Sequence, residues 1–291
     1  MGFYRFVRNA GCLIGVLILG SVCSASATDL GSDALDFDLL SLGAKVILGK
    51  GSQAGLGGNS ADLGMVGGTS ALLQKGSQSV NEVVTDPHGI VLQKGAEAFG
   101  CITSGAPIKV GANATCGNLK DNGGQRPELT TLSNAISEAS LFADVANSQP
   151  ASQTLDKIVV PKNGQQVITN TEQGLNVIAT PSVTLKKDSV LQISGASGDD
   201  DIILVHGNLN WGADASISFN GVLTTHLMFV VSGHLVSLGK GSQLIGTILA
   251  PHATCEVGAG AQVIGEIICG KKIQLDNGSQ VQYDPTEVTI P

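Results

Sequence analysis

Short stretches of the chain alternate apolar and polar positions, and one seven-residue pattern interrupts this alternation at recurring places. An apolar residue is followed by two variable residues, by Gly, Asn or Asp, by Ser or Ala, by a mostly polar residue and by a small or apolar one. Nine copies begin at Leu48, Leu73, Leu92, Val110, Leu185, Trp211, Leu238, Val257 and Leu275. Alternation with a period of two predicts strands, so a repeated interruption predicts a repeated corner between strands.

The fourth and fifth positions of the pattern are the most restricted. The fourth holds only residue types that tolerate positive φ, which predicts structural turns at Gly51, Gly76, Gly95, Asn113, Asp188, Asp214, Gly241, Gly260 and Gly278. The fifth is always Ser or Ala, which indicates a crowded inward site where a Ser hydroxyl donates to a backbone carbonyl. The sixth, often Gln, is expected to point outward and to form structural amide ladders.

The spacing of the copies predicts an all-β parallel solenoid. Neighbouring copies lie 18 or 19 residues apart where they are closest, and wider gaps, such as the 25 residues from Leu48 to Leu73, leave room for a loop. Within some coils apolar or small residues recur every six positions, as they do from Leu92 to Cys116. Three sides of about six residues predict a roughly triangular cross-section with strands stacked coil on coil.

One segment departs from the strand pattern. Between Pro127 and Ala146 the apolar residues recur at spacings of three and four, which is typical of an amphipathic helix. Pro127 suits the first helical turn. The only large surface available to the apolar face of this helix is the flank of the solenoid, so a single domain, interrupted at about 127–146, is expected over residues 28–291.

The N-terminal residues predict export. Arg5 and Arg8 precede an apolar run that ends in Ala25-Ser26-Ala27, the pattern of a signal peptide over residues 1–27. Beyond it, 14 basic against 24 acidic residues leave a formal charge of −10, which disfavours nucleic acid as a partner. No second apolar run is long enough for a transmembrane helix, so the mature chain is expected outside the cell or on its surface.

Four cysteines follow the signal peptide, and an even number in an exported chain favours disulfides. Of the three possible pairings, Cys101 with Cys116 and Cys255 with Cys269 are preferred because their separations are slightly shorter than one coil. Buried free thiols remain the alternative. No Cys or His spacing is typical of a metal site, and no cofactor is expected.

The last third of the chain resembles a known group of proteins. The strings Asp201–Leu209, Leu227–Val231 and Gly246–Pro251 are similar to secreted β-solenoid proteins of the ice-binding-like and choice-of-anchor A families. The resemblance implies a right-handed solenoid, a helix lying along it and a binding role outside the cell. Ice-binding members present a flat face rich in Thr, Ser and Ala, whereas the third position of the repeat here includes Lys50, Lys75, Lys94 and Lys240.

Two kinds of enzyme share features with this sequence. The six-residue spacing also resembles hexapeptide-repeat acyltransferases, for which His206, His226, His234 and His252 would be candidate bases. Polysaccharide lyases use parallel solenoids and acidic clusters such as Asp199–Asp201, but they pair such clusters with basic residues, and Arg126 is the one arginine after the signal peptide. A solvated loop before a strand is the simpler interpretation of these three carboxylates.

The sequence therefore predicts an exported, non-enzymatic protein of the cell surface or matrix that binds through a flat stacked face. Ice binding is the alternative, and an acyltransferase or a polysaccharide-active enzyme is the second alternative. The expected partner is an extracellular surface, a matrix polymer or ice. End-to-end self-association is also expected to be possible, because the coil from Leu275 to Tyr283 has no polar cap.

Overall fold

The computed structural model of the chain describes residues 37–56, 65–120, 127–223 and 226–282, together with residues 288 and 290. The predicted signal peptide lies outside the described residues. Every strand pairing is parallel, and the described strands form a β-solenoid with one helix along its side, as the sequence predicts.

In chain order the elements are β1 (Phe37–Ser41), β2 (Lys45–Leu48), β3 (Gln53–Leu56), β4 (Met65–Gly68), β5 (Ser70–Leu73), β6 (Gln78–Thr85), β7 (Ile90–Leu92), β8 (Glu97–Thr103), β9 (Ile108–Val110), β10 (Thr115–Lys120), α1 (Pro127–Ser148), β11 (Gln153–Thr154), β12 (Ile158–Val160), β13 (Gln165–Thr169), β14 (Leu175–Thr180), β15 (Val183–Leu185), β16 (Val190–Ser194), β17 (Asp200–Val205), β18 (Leu209–Trp211), β19 (Ser216–Asn220), β20 (Leu227–Val231), β21 (Leu235–Leu238), β22 (Gln243–Ile245), β23 (Thr247–Ala250), β24 (Thr254–Val257), β25 (Gln262–Ile264), β26 (Ile267–Cys269), β27 (Ile273–Leu275) and β28 (Gln280–Gln282).

Each coil contributes to three faces. The first face is a ten-stranded sheet in the order β12-β15-β18-β21-β24-β27-β2-β5-β7-β9. The strand after each corner belongs to the second face, and the strand after that belongs to the third. Because β6, β8 and β10 run through both, the second and third faces together form one 18-stranded sheet.

The order of the coils in the stack differs from their order in the chain. Strand β27 pairs with β24 on one side and with β2 on the other, and β28 likewise pairs with both β25 and β3. The described part of this last coil, β27 and β28, is therefore in the middle of the stack, and the sequence interpretation of the coil from Leu275 as an exposed end is wrong. The outermost first-face strands are β12 and β9, each paired on one side only.

The corners have the backbone conformation that their residue types suggest. All nine fourth-position residues have positive φ, between 55° and 68°. A tenth corner at Asn163, with φ of 56°, follows Val160 at the end of β12. The sequence pattern misses it because its fifth position is Gly164. At four corners the inward serine donates its hydroxyl to the carbonyl three residues earlier, at 2.6–2.7 Å, whereas Ser242 Oγ has no partner.

The helix covers the third face. Strand β10, in one end coil, precedes α1, and β11, which follows α1, pairs with β14 at the other end of the stack. A helix of 22 residues is about 33 Å long, and nine spacings between ten stacked strands make about 43 Å, so α1 runs along most of the solenoid. Its buried side chains pack on outward apolar residues of the third face such as Ile202, Met228 and Leu249.

The interior is a single apolar column lined by inward residues of all three faces. Trp211, the one tryptophan of the chain, is 2% exposed in this column and makes an edge-on contact with Phe229, with ring centroids 5.9 Å apart. Two disulfides join inward positions, Cys101 with Cys116 and Cys255 with Cys269, with Cα atoms 6.1 and 6.3 Å apart. Among the described residues, no helix has the length and hydropathy needed to cross a bilayer.

Candidate binding face

The three faces of the solenoid differ in what they offer a partner. The third is covered by α1. On the first, the central outward positions change in character from strand to strand and include the charged residues Glu256 and Lys109 as well as the aliphatic Ile47, Leu72 and Val91. The second face is uncovered and far more uniform, and it is the candidate binding face.

A single row of outward side chains runs along all ten coils of the second face. Its members are in register and read, from one end of the stack to the other, Gln165, Val190, Ser216, Gln243, Gln262, Gln280, Gln53, Gln78, Glu97 and Thr115. Glu97 is the only charged residue in the row. We call this second face, with its outward side chains, the glutamine face.

Neighbouring amides of this row hydrogen bond from coil to coil. Gln280 Nε2 donates to Gln53 Oε1 at 3.1 Å, Gln53 Nε2 donates to Gln78 Oε1 at 2.6 Å, and Gln78 Nε2 donates to Glu97 Oε2 at 2.9 Å. Gln243 donates to Gln262 in the same way at 3.1 Å. These bonds hold long, flexible side chains in place, so the predicted ladder is present and forms part of an ordered surface.

A second outward row lies two residues further along each strand. It includes the apolar residues Val167, Ile245, Ile264 and Phe99, together with Ser218 and other polar residues. Over β13, β16 and β19 a third row adds Thr169, Ser194 and Asn220, aligned in register. The face thus combines amides, hydroxyls and aliphatic groups and carries little charge.

The lysines at the third position of the repeat lie at the corner between the first and second faces. Lys50 and Lys240 are in the turns that precede β3 and β22, and Lys75 and Lys94 have equivalent places. At the same corner Lys187 Nζ is 3.9 Å from a carboxylate oxygen of both Asp188 and Asp214, in an exposed setting. The charged row that argued against an ice-binding face is therefore beside the glutamine face and not on it.

A family model described as an ice-binding-like adhesive domain matches residues 21–283. The chain belongs to this family. The match agrees with the resemblance seen in the sequence and extends it from the last third of the chain to nearly all of it. A comparison with curated proteins finds no match.

Solved structures similar to this ice-binding-like domain share its fold at low sequence identity. An ice-binding protein of the Antarctic ascomycete Antarctomyces psychrotrophicus is 17% identical, with 89% of this chain and 99% of that one covered and a TM-score of 0.56. The DUF3494 domain of Shewanella frigidimarina ice-binding protein 1 is 15% identical, with 89% and 98% covered and a TM-score of 0.54. An ice-binding protein from an Antarctic biological consortium is 14% identical, with 92% and 96% covered and a TM-score of 0.55.

One end of the glutamine face carries a hollow of about 290 Å³. It lies on β6, β8 and β10 and is lined by Gln78, Ser79, Glu97, Ala98, Phe99 and Thr115. Phe99 is 54% exposed, while the other aromatic side chains among the described residues are buried or half-buried. The sequence reasoning missed this feature because Phe99 occupies an ordinary alternating position of its strand.

The acidic cluster of the ice-binding-like domain is not the solvated loop that the sequence suggested. Asp199 and Asp201 are 5% and 0% exposed. Asp199 Oδ2 accepts hydrogen bonds from the backbone N–H of Ala196 at 2.8 Å and from Asn170 Nδ2 at 3.1 Å, and these bonds lower the pKa of Asp199. Asp200 Oδ1 lies 2.5 Å from His226 Nδ1.

Asp201 has the opposite environment. Among the described residues neither of its carboxyl oxygens makes a well-formed hydrogen bond, although the side chain of Asn170 is close enough to favour the charged form slightly, and Asn170 Oδ1 is itself buried without a partner. Burial, followed by the charge of Asp199, raises the pKa of Asp201 to about 7. Within the described residues, no group of three or more His, Cys, Asp or Glu side chains is arranged to hold a metal ion.

The structure does not bring the candidate histidines together. His206, His234 and His252 are exposed on different coils, and His226 contacts Asp200. Arg126 lies outside the described residues. The fold does assemble the glutamine face, whose first row is the sixth position of the repeat, which the sequence analysis assigned to structure alone.

Proposed function

We propose that this protein is exported and binds an extended, uncharged surface through the glutamine face, with ice as its best-supported target. The observation that carries the proposal is the in-register outward row of ten residues, on the one uncovered and uniform face, in which only Glu97 is charged. An uncharged target surface forms no strong interaction with a single charged side chain. Many small contacts repeated at the spacing of stacked strands, about 4.8 Å, can instead add up over ten coils.

Several observations support ice in particular. The family is described as ice-binding-like, and the structural neighbours with the same fold are named as ice-binding proteins. Short hydroxyl and β-branched side chains, which can hold ordered water beside apolar groups, occupy most of the outward positions over β13, β16 and β19, and the others are the amides Gln165, Gln192 and Asn220. Export agrees with the predicted signal peptide and with the two disulfides.

Adhesion to a polymer is a second candidate, and a specific observation favours it. From Gln243 to Gln78 the first row is made of long amides that donate to one another, and amide side chains can also bond a polar polymer. The family description contains adhesion as well as ice. In both cases the proposed function is non-enzymatic.

The test compares two Ser→Lys variants of the full chain. Ser218→Lys places a charge in the second outward row of the glutamine face, on the third of its ten coils, whereas Ser237→Lys places the same charge on the first face at a similarly half-buried position. If the protein binds ice, we expect thermal hysteresis and retention on ice that Ser218→Lys abolishes and Ser237→Lys preserves.

A protein that shows neither effect on ice but is retained on a solid polymer, again with sensitivity to Ser218→Lys alone, would support adhesion instead. Equal sensitivity to both substitutions would contradict the assignment of the glutamine face. Catalytic turnover by the purified protein would contradict the non-enzymatic function.

A further inference from the structure

The hollow at Phe99 differs from the rest of the glutamine face in three ways. It holds the most exposed aromatic side chain among the described residues, the single charge of the first row, and an open space beside the ring. On the outer coil the residue beside Phe99 is Gly117, which has no side chain, and a Cβ there would be 2.5 Å from the carbonyl oxygen of Phe99. We propose that this hollow is a carbohydrate subsite that binds one pyranose ring of a neutral or amine-bearing polysaccharide.

The aromatic ring supplies the apolar half of such a site. A pyranose has a face of C–H groups that can lie on an aromatic ring, and the burial of a ring face is a substantial source of binding free energy. Phe99 has no polar atom of its own, so a partner that covers it must bring an apolar surface. A cavity of about 290 Å³ leaves room for one sugar ring and bound water.

Glu97 and Thr115 supply the polar half. Glu97 is two residues before Phe99 on the same face of β8, and Thr115 on β10 is the register partner of Glu97. The bond from Gln78 Nε2 to Glu97 Oε2, at 2.9 Å, orients the carboxylate, which can accept further hydrogen bonds from adjacent hydroxyl groups of a sugar. The exposed Thr115 hydroxyl can donate or accept.

Charge restricts the class of sugar. The lining includes the Glu97 carboxylate and no lysine or arginine. Uronic acids and sulfated sugars would therefore be repelled, while hydroxyl groups or a protonated amine would be favoured. This selects neutral polysaccharides and polymers of amino sugars.

The framework of the hollow is cross-linked on its outer side. Strands β8 and β10 pair in register beneath it, and the disulfide between Cys101 and Cys116 ties them together beside Phe99, whereas the pairing of β6 with β8 shifts register between Ser79 and Glu82. A site held in its bound geometry loses less entropy when a ligand binds. The inference goes beyond the proposed function, because it uses three end coils and side chains that attachment to ice does not need.

The experiment measures binding of four trisaccharides to the full chain by saturation-transfer NMR and titration calorimetry. The probes are cellotriose, maltotriose, the trimer of glucosamine and trigalacturonic acid. We expect at least one of the first three to bind, with saturation transferred to the C–H face of one ring, and no binding of trigalacturonic acid. Phe99→Ala should weaken binding about tenfold, and Glu97→Gln should remove any preference for the glucosamine trimer.

Val167→Ala is the matched control, because Val167 is 51% exposed in the same outward row at the opposite end of the face. It should leave sugar binding unchanged. The inference is overturned if none of the first three sugars binds, if trigalacturonic acid binds as tightly, or if Phe99→Ala binds like the unmodified protein. Loss of sugar binding by Phe99→Ala without a change in the response to Ser218→Lys would separate this subsite from the proposed function.

Discussion

The most unusual single residue in this solenoid is Asp201, a fully buried carboxyl group whose oxygens make no well-formed hydrogen bond within the described part of the chain. A charge in that setting is unfavourable, so the protonated form of Asp201 predominates below about pH 7. A protonated Asp201 can donate to Asn170 Oδ1, the neighbouring buried acceptor that also lacks a partner. A single proton would then form a hydrogen bond between Asp201 and Asn170 Oδ1, while Asn170 Nδ2 continues to donate to Asp199.

This arrangement predicts a stability that declines as the pH rises. The pKa of Asp201 is about 7 in the folded protein, against about 3.9 in an unfolded chain, so the folded state binds the extra proton between about pH 4 and pH 7. The free energy of unfolding should therefore fall across that window, by up to about 4 kcal/mol, and become level above it. Asp199, whose pKa is lowered, contributes in the opposite direction only at lower pH.

Asp201→Asn provides the test. An amide keeps the shape and a donor for Asn170 but does not ionise, so thermal unfolding followed by circular dichroism should lose most of its dependence on pH between about 4 and 7. Asp214→Asn, at an exposed corner with positive φ, is the matched control and should retain it. If Asp201→Asn left the pH profile unchanged, Asp201 would not be the group that causes the decline in stability. The other charged groups near Asp201, besides Asp199, are Asp200 and His226.

At this scale the sequence predicted local backbone constraints well and burial poorly. The corners were found because positive φ limits the choice of residue to Gly, Asn and Asp wherever the turn recurs. Asp199 and Asp201 were assigned to solvent because acidic residues are usually exposed. Their burial depends on Asn170 and Gly174, which another coil brings next to them and which no local pattern connects to them.

At the scale of elements, the helix is held by small side chains that allow close contact with the third face. Ala135, Ala139 and Ala146 are completely buried there. Ala139→Leu should therefore overpack the contact and destabilise the protein by about 1–3 kcal/mol. Leu141→Ala, at a residue that is 58% exposed on the same helix, should change stability by less than about 0.5 kcal/mol. Chemical denaturation measures both, and equal effects would show that α1 is not held in this way.

The sequence located this helix but not the face that it covers. Its period of 3.6 residues distinguishes it from strands, so Pro127–Ser148 was predicted to within two residues. The third face, however, is apolar on both sides: all five residues of β20 are buried, the inward ones in the interior column and the outward ones under α1. Such a strand has no alternation of apolar and polar residues, so its sequence does not show which of its two sides is covered by the helix. For this reason the sequence could not show that the glutamine face is the uncovered one.

At the scale of the molecule, the block of coils before the helix and the block after it meet at β2 and β27, where they are joined by strand pairing and not by a connecting loop. The stack continues from β27 to β2 only because α1 returns the chain to the far end, so that the last coils dock on the first. Sequence periodicity is the same for any order of the coils, and it therefore could not predict this junction. The edges of β27 and β2 satisfy each other's backbone groups, as neighbouring coils do elsewhere in the stack.

Gly49 makes this junction testable. A Cβ at Gly49 would lie 2.4 Å from the carbonyl oxygen of Leu275 across the junction, whereas one at Gly239 would lie 2.5 Å from the carbonyl carbon of Gly212 inside the second block. Both Gly→Ala changes should lower stability, because a backbone neighbour must move in each case. Hydrogen exchange should distinguish them: Gly49→Ala should lose protection first in β2–β10 and at β27, and Gly239→Ala around β18–β24. If Gly49→Ala instead weakened all coils evenly, the two blocks would unfold as one unit and the junction would be no weaker than the rest of the stack.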